Sequence, residues 1–216
     1  MDWKYIETSD PMIRGKAPEI EAEIPERCDG GFPMRAWYHV IIGGACSGGP
    51  YRQRVMGLNV CKPYPFRPCG HYTKHPIYEQ CPKERQITPK CRLRCSLGYN
   101  KTYKEDVIYA KSAHYLKTNE TEIQKEIMMN GPVQASFKVY GDFLTYEKGI
   151  YRHTAGEDEG GHAVKIIGWG VENDVKYWLV ANSWNTGWGE DGYVRFLRGE
   201  NECEIETRII AGFFEA

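Results

Sequence analysis

The chain has 216 residues, 41% of them hydrophobic, and a formal net charge of -1 from 28 basic and 29 acidic side chains. That apolar content rules out wholesale disorder, and the length suits one domain or two small lobes. The two signs of charge are scattered without a basic face, which excludes nucleic-acid binding, and no apolar run reaches the ~18 residues that a membrane span needs.

Residues 1–27 are polar, acidic in PEIEAEIPE, and without a period, so they read as an extended tail. The opening MDWKYIETSDPM has no apolar h-region, so no signal peptide is expected in this chain. In CDGGFPMRAWYHVIIGG, Pro33 suits the first turn of a helix and Gly43 its end. Met34, Trp37 and Ile41 share a face, which predicts a short buried helix.

Five of the eight cysteines fall between Cys61 and Cys95, within a proline-rich stretch (45–116) predicted to be irregular and held by cross-links. Disulfides formed in an oxidising compartment are one reading. A zinc site is the other, because His71 and His75 lie between Cys69 and Cys81. The tightest spacing, Cys91 to Cys95, and the crowding prolines favour disulfides over the regular paired cysteines of zinc modules. No metal and no cofactor are expected. Asn100-Lys101-Thr102 and Asn119-Glu120-Thr121 match the N-glycosylation tripeptide, which is compatible with secretion.

A second helix starts where Asn119 can cap it, with Glu122 three residues on as in a capping box. Ile123 and Ile127 share its face, and NGP at 130–132 ends it. VQASFKVY then alternates strictly, as a half-buried strand does. HAVKIIGW, YWLVAN and YVRFLR follow as strands, antiparallel because the separations are short. The chain therefore reads as α+β, irregular first and sheet or barrel second.

Strands 162–169 and 177–182 flank a turn containing Asn173-Asp174. A simple hairpin centred near residue 172 places His162 and Asn182 opposite one another or one register away, where paired Cβ atoms are ~4.5–5.5 Å apart. An amide oxygen accepting one ring proton fixes the imidazole tautomer and leaves the other nitrogen as a base. Gly160 and Gly161 leave space beside the histidine, and Trp184 and Trp188 can cover the pair.

GGHAVKIIGWG, YWLVANSWNTGWGEDGYVRFLRG and CDGGFP resemble papain-family cysteine peptidases over residues 28 to 213. The loop CKPYPFRPCGHYTKH resembles the cathepsin B-like branch. The resemblance implies a two-lobe α+β fold with a substrate cleft, whose antiparallel β-barrel lobe (mainly 117–216) is retained. Its helical lobe (28–116, with a disulfide-rich occluding-loop region) is incomplete. It implies His162 as catalytic base, Asn182 as its orienting residue, Trp184 as their shield, and Trp188 as a wall of the leaving-group side. It implies that Gly30 and Gly31 bind the substrate backbone, and that Cys61 pairs with Cys95 and Cys69 with Cys81. Protein or peptide substrates, propeptide or cystatin-like inhibitors, and lysosomal or secreted placement follow from the same likeness.

Three departures stand out. The family's nucleophile lies in a C-G-[SA]-C-[WY] context. Neither that context nor any cysteine before Cys28 occurs here. Cys28 and Cys91 resemble half-cystines whose partners are missing. Cys46 follows a helix instead of opening one, and the acidic neighbours of Cys203 should raise its pKa. AEIPER resembles a propeptide–enzyme junction, so a deletion near Arg27–Cys28 is expected, as from a skipped exon. Second, the paired histidines of the occluding loop read His71-Tyr72, which weakens any carboxydipeptidase action. Third, Arg208 stands where the family carries an acidic specificity residue. The expected function is cysteine-type peptide-bond hydrolysis by family, with this chain inactive for want of its thiol. A non-catalytic peptide- or inhibitor-binding module is the alternative. A disulfide-rich interaction protein without enzymatic ancestry is disfavoured by the His, Asn and Trp set.

Overall fold

The computed structural model describes residues 30–51, 59–69, 79–82, 87 and 89–214. Its frame is a seven-stranded sheet in the order β3 (Ala110–Tyr115), β9 (Arg208–Phe214), β4 (Val133–Tyr140), β6 (Asp158–Glu172), β7 (Val175–Ala181), β8 (Tyr193–Leu197) and β5 (Ile150–Tyr151). All neighbours are antiparallel except β5 and β8, which run parallel. Few helices accompany it, consistent with an incomplete helical lobe: α1 (Pro33–Ile42), α2 (Tyr103–Asp106), α3 (Glu120–Asn130) and α4 (Gly141–Leu144). A short parallel pair, β1 (Gly48–Gly49) and β2 (Lys62–Pro63), lies in the cysteine-rich part.

Strand β4 alternates buried and half-buried without exception. Val133, Ala135, Phe137 and Val139 point into the core, where Ile166, Trp178, Val180, Val194 and Phe196 are fully buried. Strict alternation has one physical cause: the pleat turns every second side chain to the same face. β3 belongs to this sheet although its residues lie in the stretch read as irregular, because its pairing partner β9 is about a hundred residues away and leaves no local mark.

Helix α1 begins with Pro33, as predicted, and Gly43 donates its N–H to the carbonyl of His39 at the end. It is not the buried helix expected from its face, since none of its residues is fully buried and Ile42 is 62% exposed. The sheet covers only one side of it. Trp37 docks that side: its ring lies where a Cβ on Gly212 would come within 2.1 Å, and its Nε1 donates to Gln134 Oε1 at 2.8 Å. Only glycine at 212 lets the indole lie flat on β9.

Helix α3 is capped by Asn119, whose Oδ1 accepts from the N–H groups of Thr121 and Glu122. Glu122 does not complete a capping box there; its carboxylate pairs with Lys125 instead. The reciprocal box forms at α2, between Thr102 and Glu105. Asn119 already satisfies two N–H groups, so the glutamate is left to its helical neighbour.

Disulfides Cys61–Cys95 and Cys69–Cys81 hold the irregular region. Ser47 adds to them. Its N–H and hydroxyl both donate to Asp106, and its oxygen accepts from the Cys61 N–H at 2.9 Å. The Cys46 and Cys61 sulfurs and an Asp106 oxygen lie within 4.8 Å of one another. The Cys61 sulfur is already bonded to Cys95, so the three are not a ready ligand set. His71 and His75 lie outside the described residues.

Ile166→Ala should lower stability by about 2–5 kcal/mol, since a fully buried aliphatic leaves a cavity. Met128→Ala, at a residue 72% exposed on α3, should stay within about 0.5 kcal/mol. Urea titration followed by tryptophan fluorescence separates the two.

Candidate active site

The β6–β7 hairpin turns on Asn173 and Asp174, both at positive φ (50° and 63°), as a tight two-residue turn requires. The ladder runs from Glu172↔Val175 and slips by one residue between Ile166 and Gly168, reaching Lys165↔Ala181. Continued, this register sets Asn182 across from Val164, so His162 is its diagonal neighbour. Of the two arrangements expected from a centre at residue 172, direct opposition or an offset register, the register is the offset one. The turn is tighter than assumed, and a bulge takes up one residue. A shift of two residues preserves the face, so the side chains still meet.

They meet closely. His162 Nε2 lies 2.9 Å from Asn182 Oδ1. The same oxygen accepts the Ser183 N–H at 2.7 Å. A backbone N–H can only donate, so the amide atom facing the ring is the oxygen, and Nε2 must carry a proton. In the neutral ring Nδ1 is then the basic nitrogen. The Asn182 N–H donates to the carbonyl of Gly192, which holds this residue beyond the end of β7. Its Nδ2 is buried and makes no hydrogen bond among the described residues.

Aromatic rings wall the pair. Trp184 stacks on the imidazole at 5.0 Å between centroids, 23° from parallel. Phe137, which faces His162 across β4 and β6, meets it edge-on at 5.7 Å. Trp188 stands edge-on to Trp184 at 5.2 Å, and its Nε1 donates to the Leu144 carbonyl. Phe143 touches Phe137, Trp184 and Trp188 together. His162 is only 2% exposed within this box. A low-dielectric wall strengthens the hydrogen bond it encloses.

The turn that carries Phe143 is held by Asp142. Its carboxylate accepts from the Tyr151 hydroxyl, the Thr154 and Ala155 N–H groups, and faces His153 Nδ1. Burial pushes its pKa up, but these hydrogen bonds outweigh it and hold the carboxyl well below the usual range.

Of the other sequence-derived residues, Gly30 (φ 93°) and Gly31 form the entry to α1. Gly160 and Gly161 pair with Val139 and Lys138, and Gly160 takes a positive φ of 102°. Arg208 opens β9 opposite Ser136, which pairs on its other side with Ala163. That row lies on the face of β4 opposite to Phe137, so Arg208, one strand removed from the histidine's strand with β4 between, is not in its box. His71 and Cys28 lie outside the described residues.

Two of the described thiols, Cys46 and Cys203, make poor nucleophiles. Burial first, then Glu202, pushes the Cys203 thiol up to about 12, so burial outranks the acidic neighbour expected to raise it. Cys46 is also raised, chiefly by burial and further by Asp106 and Cys91, against a lowering by Lys62. Both are almost wholly protonated near neutral pH.

Sequence reasoning missed Phe137 and Phe143 as walls of the site, and Asn185. Asn185 sits at φ 64° and its Nδ2 donates to the Cys69 carbonyl at 2.9 Å, tying the cysteine-rich part to the Trp184–Trp188 loop. Its place between Trp184 and Thr186-Gly187 is the available signal, because asparagine tolerates left-handed backbone in turns.

Comparison with known proteins adds the lineage. Residues 20–213 match the family model described as "Papain family cysteine protease". "Cathepsin B-like cysteine proteinase 6" of Caenorhabditis elegans is 47% identical over 186 residues, covering 86% of this chain and 48% of that protein. "Cathepsin B-like cysteine proteinase 3" of Ostertagia ostertagi is 50% identical over 177 residues, 82% of this chain and 99% of that one. The solved "proCathepsin B S9 from Trypanosoma congolense" superposes with a TM-score of 0.70 at 37% identity, over 88% of this chain and 55% of that one. The chain spans about half the length of several such relatives. It belongs to the papain family of cysteine proteases, among the cathepsin B-like members.

In Asn182→Ala, the preference of His162 for the Nε2-protonated tautomer should fall, which side-chain nitrogen NMR detects directly. Asp142→Asn should destabilise the fold at pH 7. A depressed carboxyl contributes fully above its ordinary pKa of about 3.9 and progressively less as pH falls below it. The gap to the parent protein should therefore close under acid, as chemical denaturation at several pH values measures.

Proposed function

We propose that this papain-family chain carries the proton-handling half of a cathepsin B-like cysteine peptidase acting on peptide bonds in proteins and peptides. The His162–Asn182 hydrogen bond inside the aromatic box carries this reading. His162 is the base: with Nε2–H donated to Asn182, Nδ1 is the nitrogen that trades a proton with a thiol. In this chemistry the thiolate attacks the scissile carbonyl, and the imidazolium then protonates the leaving amine. Asn182 keeps the ring aimed, Trp184 screens the pair from water, and Trp188 walls the leaving-group side. Gly30, Gly31, Gly160 and Gly161 serve the extended substrate, whose close approach bare backbone permits. His71 is the remaining occluding-loop imidazole.

The lobes divide near residue 117, with the 28–116 part an incomplete helical lobe. Propeptide-type segments and cystatin-like inhibitors are the proposed macromolecular ligands, and a lysosomal or secreted setting suits the disulfides. Among the described residues no helix is long and apolar enough to cross a membrane.

The sequence holds no C-G-[SA]-C-[WY] stretch, and the raised thiols of Cys46 and Cys203 do not replace it. In this reading the chain by itself forms no acyl-enzyme. A thiol-reactive peptide probe should leave it unlabelled, although small iodoacetamide should alkylate the exposed Cys91. Probe labelling of any cysteine, abolished by His162→Ala, would overturn this.

Arg208 sets specificity in this reading by repelling basic side chains near Ala163 and Ser136. Peptide amides with leucine at that subsite should bind about tenfold more tightly than arginine analogues, about 1.4 kcal/mol, and Arg208→Glu should invert the order. Calorimetry on the full chain reads both.

A further inference from the structure

We propose that this chain is N-glycosylated at Asn100 and Asn119, a modification that rests on the secretory placement proposed above. Asn100-Lys101-Thr102 and Asn119-Glu120-Thr121 are both Asn-x-Thr tripeptides, and no other asparagine in the sequence begins an Asn-x-Ser/Thr. Both asparagines are exposed.

The hydrogen bonding divides each amide in the same way. Asn119 Oδ1 accepts from the Thr121 N–H at 2.9 Å and the Glu122 N–H at 3.4 Å, while Asn100 Oδ1 accepts from Asn59 Nδ2 at 3.3 Å. Among the described residues neither Nδ2 donates a hydrogen bond. N-glycosylation uses that nitrogen and spares the carbonyl, so a glycan leaves the cap of α3 and the Asn59 contact in place. Each tripeptide also straddles a helix start: Asn119 caps α3, and Thr102 caps α2. Neither asparagine contributes to the aromatic box around His162.

In the transfer, Nδ2 bonds to the anomeric carbon of a lipid-diphosphate-linked oligosaccharide. The bond from that carbon to the diphosphate oxygen breaks, its electron pair leaves with the lipid diphosphate, and the amide nitrogen gives up one proton. The donor belongs to the oxidising compartment in which Cys61–Cys95 and Cys69–Cys81 form.

The test expresses the full chain behind a cleavable secretion signal in animal cells. Peptide N-glycosidase in heavy-oxygen water should remove two glycans and leave labelled aspartate at positions 100 and 119. Asn100→Asp, which keeps the accepting oxygen, should lose one glycan. Thr121→Ala, which keeps the Asn119 cap, should lose the other. A chain with both disulfides formed but no glycan would overturn the proposal while leaving the placement standing. A reduced, unmodified chain would overturn the placement and the proposal with it.

Discussion

One hydrogen bond organises the site. Because Asn182 Oδ1 takes the proton on His162 Nε2, the chemistry of the ring is directed to Nδ1. The bond is short-range, but its setting is not. It needs the bulge between Ile166 and Gly168, the Asn182 N–H held by Gly192, and indole and phenyl faces that exclude water. A free imidazole and a free amide in water would gain little from meeting, since each already has water as a partner. The protein's contribution is the dry enclosure.

That enclosure is continuous with the core. Phe143 meets Phe137, Tyr151, Trp184, Trp188 and Phe196, so the wall of the site and the filling of the sheet are the same side chains. The buried Trp178 extends it and donates its Nε1 to Glu206 at 2.7 Å. Asp142 closes the corner from the polar side, gathering backbone and side-chain donors that an apolar turn would leave unsatisfied. Stability and orientation of the ring are therefore coupled: loosening the corner loosens the box.

The first half of the chain is built on other terms. Its helices are short or half-exposed, and it is held by two disulfides, the Ser47–Asp106 hydrogen bonds and one docked indole. Such a region relies on cross-links where apolar area is scarce. Among the described residues, Asn185 to Cys69 and Trp37 to Gln134 are polar links from it to the sheet side. The chain spans about half the length of several relatives.

Local pattern carried far in the sequence. The alternation of 133–140, the cap at Asn119 and Pro33 at a helix start are readable because each depends on neighbours a few residues away, and the His–Asn–Trp set is readable because one hairpin carries it. The family itself was legible from three motifs. What tertiary structure decided is what depends on distant partners: β3 joining β9, Phe143 folding under Trp184, α1 remaining half-exposed, and the diagonal approach of Asn182 to His162 across a bulge. A residue's own chemistry is written in its letter, whereas its neighbours in space follow from register and packing, which only the folded chain sets.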